Sequence, residues 1–438
     1  MQKQGLTIYQ LFLRPFTAEG TLKAAEKLIG HISECGFDII YLCPVSTADS
    51  DENPDYWSER QKECGLNNPK NPYRMSDYFN VDPEYGTNED LKDFINTAHS
   101  YGLKVILDLV YFHCGPKAVF LDEHKDFVKC DEDGNIIYGE WHFPALNFEN
   151  PGLCEYLWSN MEYYIRDFKA DGFRCDVAYL CPTSFWEEGR RRIEKINPDV
   201  FMLNEGENAD ALDFAFDVNY HYDWMEFKKK IFDGRMPASA LRETYEKFGN
   251  VADRCIRAID SHDGATNYDG HFEATAGHYA VNAALVIDFM ADGIPFVYNG
   301  YEIADTNHHS IFANRFHGKI FTIHWENGFT DAGKDRLKLI KTLCGIKHKE
   351  PSIFNGSLEW ADNDNADKII SFVRRDKNNA VLVVANAAKQ TVTVKVDVED
   401  FNDSQTVISY GADKINDGKI TLGANGYAVL KKKLEKIF

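Results

Sequence analysis

Four short apolar runs in this chain end in side chains able to do acid–base or nucleophilic chemistry. Val-Ile-Leu-Asp-Leu-Val-Tyr-Phe-His carries Asp108 and His113, and Gly-Phe-Arg-Cys-Asp carries Arg174 and Asp176. Val-Phe-Met-Leu-Asn-Glu closes on Glu205, and Ala-Ile-Asp-Ser-His-Asp on His262 and Asp263. A single carboxylate after an apolar strand most often caps the next helix. Several carboxylates drawn to one place repel one another, so their meeting serves something other than stability. An acid and a nucleophile on opposite sides of an anomeric carbon would hydrolyse a glycosidic bond. The same oxygen donors would also hold a divalent cation, and the composition alone does not choose between the two. Glu207 is a rival acid, but Glu205 directly follows the apolar run and is preferred.

These groups meet only if the runs that carry them are neighbours. Apolar runs at Leu6–Leu13, Phe37–Cys43, Leu103–Val110, Gly172–Asp176, Val200–Asn204, Phe214–Val218, Cys255–Ile259 and Ile294–Tyr298 read as strands. Amphipathic stretches at Thr21–Cys35, Asn88–Ser100, Gly152–Phe168, Thr183–Ile196, Ala274–Phe289 and Asp331–His348 read as helices between them, with two further helical stretches before Cys255. The run at Leu103–Val110 is continuously apolar, as strands buried on both faces are. Eight strand–helix units predict an α/β fold, a (β/α)8 TIM barrel, in which chemistry gathers at the C-terminal ends of the strands. The polar stretch 114–151, rich in Gly, Asp and aromatics, is too long for a turn and reads as an inserted subdomain after strand 3. From 351 onward, alternating segments such as Ile369–Val373, Ala380–Ala385, Thr391–Val396 and Tyr427–Leu430 read as a C-terminal antiparallel β-sandwich. The expected organisation is barrel 1–113 and 152–350, insertion 114–151 and sandwich 351–438.

Composition narrows the partners. With 48 basic against 69 acidic residues the 438-residue chain carries a net charge of −21, which repels phosphate backbones and anionic lipids and excludes nucleic acid and membrane surfaces as expected partners. No segment is apolar for the ~20 residues a membrane helix needs. Ten cysteines are scattered singly, without the CxxC spacing of a zinc or redox site. Met1–Tyr9 shows no charged-then-apolar leader, so the expected compartment is the cytoplasm.

The motifs, taken in order, resemble those of the α-amylase superfamily of glycoside hydrolases over nearly the whole chain. Asn71–Thr87 looks like the family's second-strand loop, Asp108–His113 its first signature, Gly172–Asp176 the nucleophile signature, Leu203–Glu205 the acid signature and Ser261–Asp263 the last. The resemblance implies a retaining hydrolase of α-glucosidic bonds, mainly α-1,4, in maltodextrins or starch-derived oligosaccharides. Asp176 would attack the anomeric carbon, and Glu205 would protonate the leaving oxygen and then deprotonate water. Asp263 would grip the 2- and 3-hydroxyls, His113 and His262 would bond the same sugar, and Tyr73 would stack on it. Arg174, on the same strand face as Asp176, would hold it ionised, and Asp108 would orient Arg174. A transglycosylase or disaccharide-specific α-glucosidase would use the same machinery, while a non-catalytic sugar-binding relative would be expected to lose Asp176 or Glu205, and both are present.

Departures from the family pattern carry their own expectations. Phe112 stands where the first signature usually has Asn, and Ala145 where calcium-binding relatives carry Asp, so no metal and no cofactor is expected. Ser261 replaces the usual Asn of the last signature, and Glu205 lacks the Trp that often follows two residues later. Phe143–Pro151 followed by Gly152–Phe168, and Asp176–Ala178 followed by Phe185-Trp186, look most like the neopullulanase and cyclomaltodextrinase subgroup. Arg74 stands beside Tyr73 where exo-acting α-glucosidases often place a blocking Asp, which points to a cleft open at both ends.

Overall fold

Eight parallel strands wrap into a closed barrel in the computed structural model, which describes residues 5–266, 271–399 and 401–434. The strands are β1 (Ile8–Leu11), β2 (Ile39–Leu42), β3 (Lys104–Leu109), β4 (Gly172–Cys175), β5 (Phe201–Asn204), β6 (Val218–Asn219), β7 (Ile256–Ala258) and β8 (Ile294–Tyr298). Their spatial order is β6-β5-β4-β3-β2-β1-β8-β7, and a parallel bridge between Asn219 and Cys255 joins the two ends. Every residue of these strands except Lys104 is buried, as expected of a parallel sheet covered by helices on its outside.

The helices form where periodicity and capping agree. Thr87 and Asp90 make a reciprocal capping box that starts Asn88–Ser100, and Asn150 with Pro151 at the first turn starts Pro151–Asp167. Two expected helices are broken. Gly277, at φ 89°, separates Phe272–Ala276 from His278–Met290, and Thr21–Cys35 divides into Leu22–Glu26 and Ile29–Cys35. His278–Met290 is buried on every side from Ala280 to Met290, because it lies between the barrel and the C-terminal sheet.

The sixth strand is displaced from its expected position. Ala211–Phe214 is a helical turn, and only Val218–Asn219 joins the sheet. The Asp217 carboxylate accepts from the Met202 amide at 2.9 Å, and so takes up a backbone donor of β5 that a longer strand would have paired. Segment 114–151 is irregular: two 3-10 turns, Val119–Asp122 and Lys125–Phe127, precede a loose hairpin held by isolated bridges such as Tyr138 to Pro144.

The C-terminal strands are β9 (Ser357–Trp360), β10 (Ile369–Arg375), β11 (Asn379–Asn386), β12 (Val392–Lys395), β13 (Gln405–Ala412) and β14 (Lys419–Lys433). They are antiparallel and hydrogen-bonded as one sheet, with the long β14 paired to β11 and β12 on one edge and to the bulged β13 on the other. Alternation decides what each face covers. Ile370, Phe372, Val381 and Val383 join the barrel's core, while Ile369, Val373, Leu382 and Val384 form a second, smaller core.

Candidate active site

All the residues singled out at strand ends converge on the C-terminal mouth of the barrel. The register pairs Asp108 of β3 with Arg174 of β4, and Arg174 with Leu203 of β5, so the three strands deliver their polar groups side by side. Period-two alternation puts Arg174 and Asp176 on the same face. Gly172 permits this register: its φ is 149°, and a Cβ there would lie 1.9 Å from the Phe201 carbonyl oxygen.

At the centre is the fully buried Arg174 guanidinium. Its Nη1 donates to Asp108 Oδ1 at 2.7 Å and to Asp176 Oδ1 at 2.8 Å. Its Nη2 lies 2.7 Å from Glu205 Oε2, an ion-pair contact without hydrogen-bond alignment. Glu205 Oε2 instead accepts from the Val177 amide at 2.7 Å. Val177 holds that amide in place from a left-handed conformation (φ 37°, ψ 42°), a costly one for a β-branched residue. One cation therefore touches both candidate catalytic carboxyls.

Electrostatics distinguish these groups from ordinary surface acids. Burial pushes the Asp176 carboxyl well above its usual range, against the pull of Arg174, and the charges of Glu205 and Asp108 push it further. Burial likewise raises Glu205, with Arg174 opposing and Asp263 adding to the rise. Two such neighbours cannot both ionise freely, so the pair titrates as a unit that retains one proton well above the pH at which an exposed carboxyl loses it. Asp263 behaves oppositely: withdrawal from water disfavours its charge, but His262 and Arg60 outweigh this and hold its carboxyl below the ordinary range. Burial lowers His113 to about 4, so the ring is neutral at pH 7.

A hydrogen-bond chain fixes the other side of the mouth. Gln10 Oε1 accepts from the His262 amide at 3.1 Å and Gln10 Nε2 donates to His262 Nδ1 at 2.6 Å, which leaves the ring proton on Nε2. His262 Nε2 donates to the Tyr73 hydroxyl at 2.7 Å, and that hydroxyl donates to Asp108 Oδ2 at 3.0 Å, where Tyr41 also donates at 2.5 Å. His113 Nε2 donates to the Tyr73 carbonyl at 2.6 Å.

Above this floor is a cavity of about 560 Å³. Tyr73, His113, Asp176, Glu205, His262 and Asp263 line it, together with Trp141 and Tyr222. Asp108 and Arg174, expected among the substrate-binding residues, do not line the cavity: they lie beneath it and act on the groups that do. One face of Tyr73 is covered by the parallel His262 ring at a centroid distance of 5.2 Å, so a sugar would meet the rest of its ring. Sequence reasoning missed Gln10, Tyr41 and Arg60. The first two sit inside apolar strands and read there as core, and Arg60 sits in a polar loop with no local pattern to mark it.

The position of the family's shared calcium offers little to bind the ion. The Phe112 ring packs edge-on against Trp141 at 6.0 Å, and Ala145 presents no side-chain oxygen. Among the described residues no group of three or more His, Cys, Asp or Glu side chains is arranged to hold a metal ion. The residues here do not fit that ion, and no catalytic step is routed through it.

Comparison with known proteins agrees with the geometry. Residues 10–144 match the family model for the α-amylase catalytic domain, and residues 369–427 match that for the α-amylase SusG C-terminal domain. A cyclomaltodextrinase from a Bacillus species is 25% identical over 411 residues, covering 86% of this chain and 67% of its own length. A maltogenic α-amylase from Bacillus acidopullulyticus is 24% identical, covering 92% of this chain and 70% of its own. The chain thus spans about two thirds of the length of these curated relatives. Among solved structures, a noncanonic maltogenic α-amylase from Thermotoga neapolitana superposes with a TM-score of 0.81 at 21% identity, covering 99% of this chain and 100% of its own. An α-amylase from Lactobacillus plantarum gives 0.78 at 24%, covering 98% and 99%. Residues 10–144 thus match the α-amylase catalytic-domain family, and the chain is similar to enzymes of that kind along most of its length.

Proposed function

We propose that this protein is a retaining hydrolase of α-glucosidic bonds, mainly α-1,4, in maltodextrins or starch-derived oligosaccharides. The observation that carries the reading is the contact of Arg174 with both Asp176 and Glu205 at the floor of an open cavity. The hydrogen bond from Arg174 selects Asp176 as the anion and leaves the shared proton on Glu205. Asp176 attacks the anomeric carbon while Glu205 passes its proton to the departing oxygen; the C–O bond breaks and a β-glycosyl ester on Asp176 forms. Glu205, now ionised, takes a proton from water as that water attacks the same carbon and releases Asp176, so the anomeric configuration is retained. Asp263 and the neutral His113 bond the sugar's hydroxyls, and Tyr73 and His262 shape the wall beside it. The substrate class follows the cyclomaltodextrinase and maltogenic amylase relatives, and the intracellular maltogenic amylase of Bacillus subtilis supports the cytoplasm as compartment. No helix among the described residues is long and apolar enough to cross a membrane.

The test is a product profile over maltose, maltotriose, sucrose, pullulan and cyclodextrins, with the anomer of the first product read by NMR. The α-anomer is expected first. Asp176→Asn and Glu205→Gln should each lower kcat at least about 10³-fold with the fold unchanged by circular dichroism. A β-anomer, or full activity in either variant, would overturn the reading; longer products would move it to transglycosylation.

A further inference from the structure

We infer that the cleft is roofed on the side of Asp263 and Tyr73, so that the enzyme takes α-glucan chains by their non-reducing ends and spares internal bonds. This rests on the hydrolase reading above and adds to it the form of the substrate.

The roof is the stretch 56–60, in the loop between β2 and the helix Asn88–Ser100. Glu59 and Arg60, consecutive residues in the one-turn helix Glu59–Glu63, both line the cavity, and each is tied to a different wall. Arg60 Nη1 donates to Asp263 Oδ1 at 2.7 Å and Nη2 to the Asp263 carbonyl at 3.1 Å, which fastens it to the helical turn His262–Thr266 that follows β7. Glu59 Oε1 lies 3.0 Å from His142 Nε2 in segment 114–151, whose Glu140, Trp141 and Phe143 form the facing wall. Three residues before Glu59, the Tyr56 ring stacks on Tyr138 of the same segment at a centroid distance of 5.3 Å. Residues 56–60 thus run from one wall to the other, and a polymer lying across the mouth would have to pass through them.

The stretch is anchored from below. Arg74 is fully buried and donates to the carbonyls of Tyr56 (2.7 Å), Asp51 (2.9 Å), Pro69 (2.9 Å) and Asp49 (3.1 Å). The residue whose presence beside Tyr73 pointed to a cleft open at both ends therefore holds in place the loop that closes one of them. Glu205, which faces the leaving group, accepts from the Val177 amide, and Val177 lines the cavity with the exposed Tyr179, whereas the contacts that fasten residues 56–60 go to Asp263, Tyr138 and His142. An enzyme blocked on the sugar side of the nucleophile and open on the leaving-group side admits a chain by its non-reducing end.

The experiment compares p-nitrophenyl α-maltoheptaoside with the same compound whose terminal non-reducing glucose carries a 4,6-ethylidene block, products being separated by chromatography. The unblocked chain is expected to be cut at least about 100-fold faster than the blocked one. Tyr138→Ala/His142→Ala, two exposed side chains that do not line the cavity, should raise cleavage of the blocked chain about tenfold and leave the unblocked rate within roughly twofold. Equal rates on both compounds would overturn the roof and leave the hydrolase standing. If neither compound is cut, the hydrolase reading fails and takes this inference with it. An intact double variant that gains nothing on the blocked chain would also overturn the assignment to residues 56–60.

Discussion

Replacing Arg174 by Gln removes a guanidinium that lies within 2.7–2.8 Å of three carboxyl groups, all buried under the mouth of the barrel. Asp108 keeps its bonds from Tyr41 and Tyr73, and Glu205 keeps the Val177 amide, but the compensating charge is gone. Leaving a buried charge without its partner costs about 3–5 kcal/mol, and that is the expected loss of stability near neutral pH. The loss has a definite pH dependence. Arg174 is the influence that lowers Asp176 and Glu205 against their burial, so without it both folded-state pKa values rise further. A carboxyl whose folded pKa exceeds its unfolded value near 4 stabilises the fold below the unfolded value and loses that contribution as pH rises through the folded one. The deficit of the variant against the parent should therefore be largest at about pH 8 and shrink toward about pH 5, where the orphaned carboxyls take up protons. Urea unfolding of both proteins, followed by tryptophan fluorescence at stepped pH, measures it, and the acid limb of kcat/KM in any residual activity should move to higher pH. A deficit constant across pH, or an acid limb that stays where it is, would refute the claim that Arg174 sets the charge state of the pair.

Three further outcomes follow from particular residues. Gly172→Ala drives a Cβ to 1.9 Å from the Phe201 carbonyl oxygen and should cost about 3 kcal/mol, seen as a lower Tm together with lost activity, because β4 brings both Arg174 and Asp176 to the mouth of the barrel. Val177→Gly relieves a left-handed φ of 37° worth about 1–3 kcal/mol against a glycine penalty of about 0.5–1 kcal/mol, so a net gain of about 1 kcal/mol is expected by thermal melting, with the amide to Glu205 kept. Treatment with EDTA should leave both Tm and hydrolysis unchanged, since Phe112 and Ala145 supply no side-chain oxygen at the family's shared site; a loss restored by calcium would refute this.

Much of the fold was legible because the signals were local. A short apolar run bounded by turn residues and alternating with amphipathic stretches reads as a buried strand, and each of the eight was legible, although β6 is shorter and later than its apolar run suggests. The helix Asn88–Ser100 was read to the residue because Leu91, Phe94 and Ile95 recur at helical spacing on the face it buries. The breaks at Gly277 and after Glu26 were missed, since the apolar stripe continues across both and only packing shows that the axis turns.

The carboxylates at strand ends were visible as types and order, because chemistry restricts which side chains can serve and alternation sets which face they share. What their charge states are was decided by tertiary structure. The pair Asp176 and Glu205 rises, and Asp263 falls, according to which groups burial and the loops bring beside them. Arg60 carried no local signal and Arg74 pointed to a cleft open at both ends, yet one fastens to Asp263 across 203 positions and the other is buried under the loop it holds. The sequence by itself determined the strand–helix alternation of the barrel and the types and order of the polar groups at its strand ends, which depend on short-range pattern. The shape of the cleft depends on contacts between segments far apart in the chain, and no periodicity within either segment records where the other will lie.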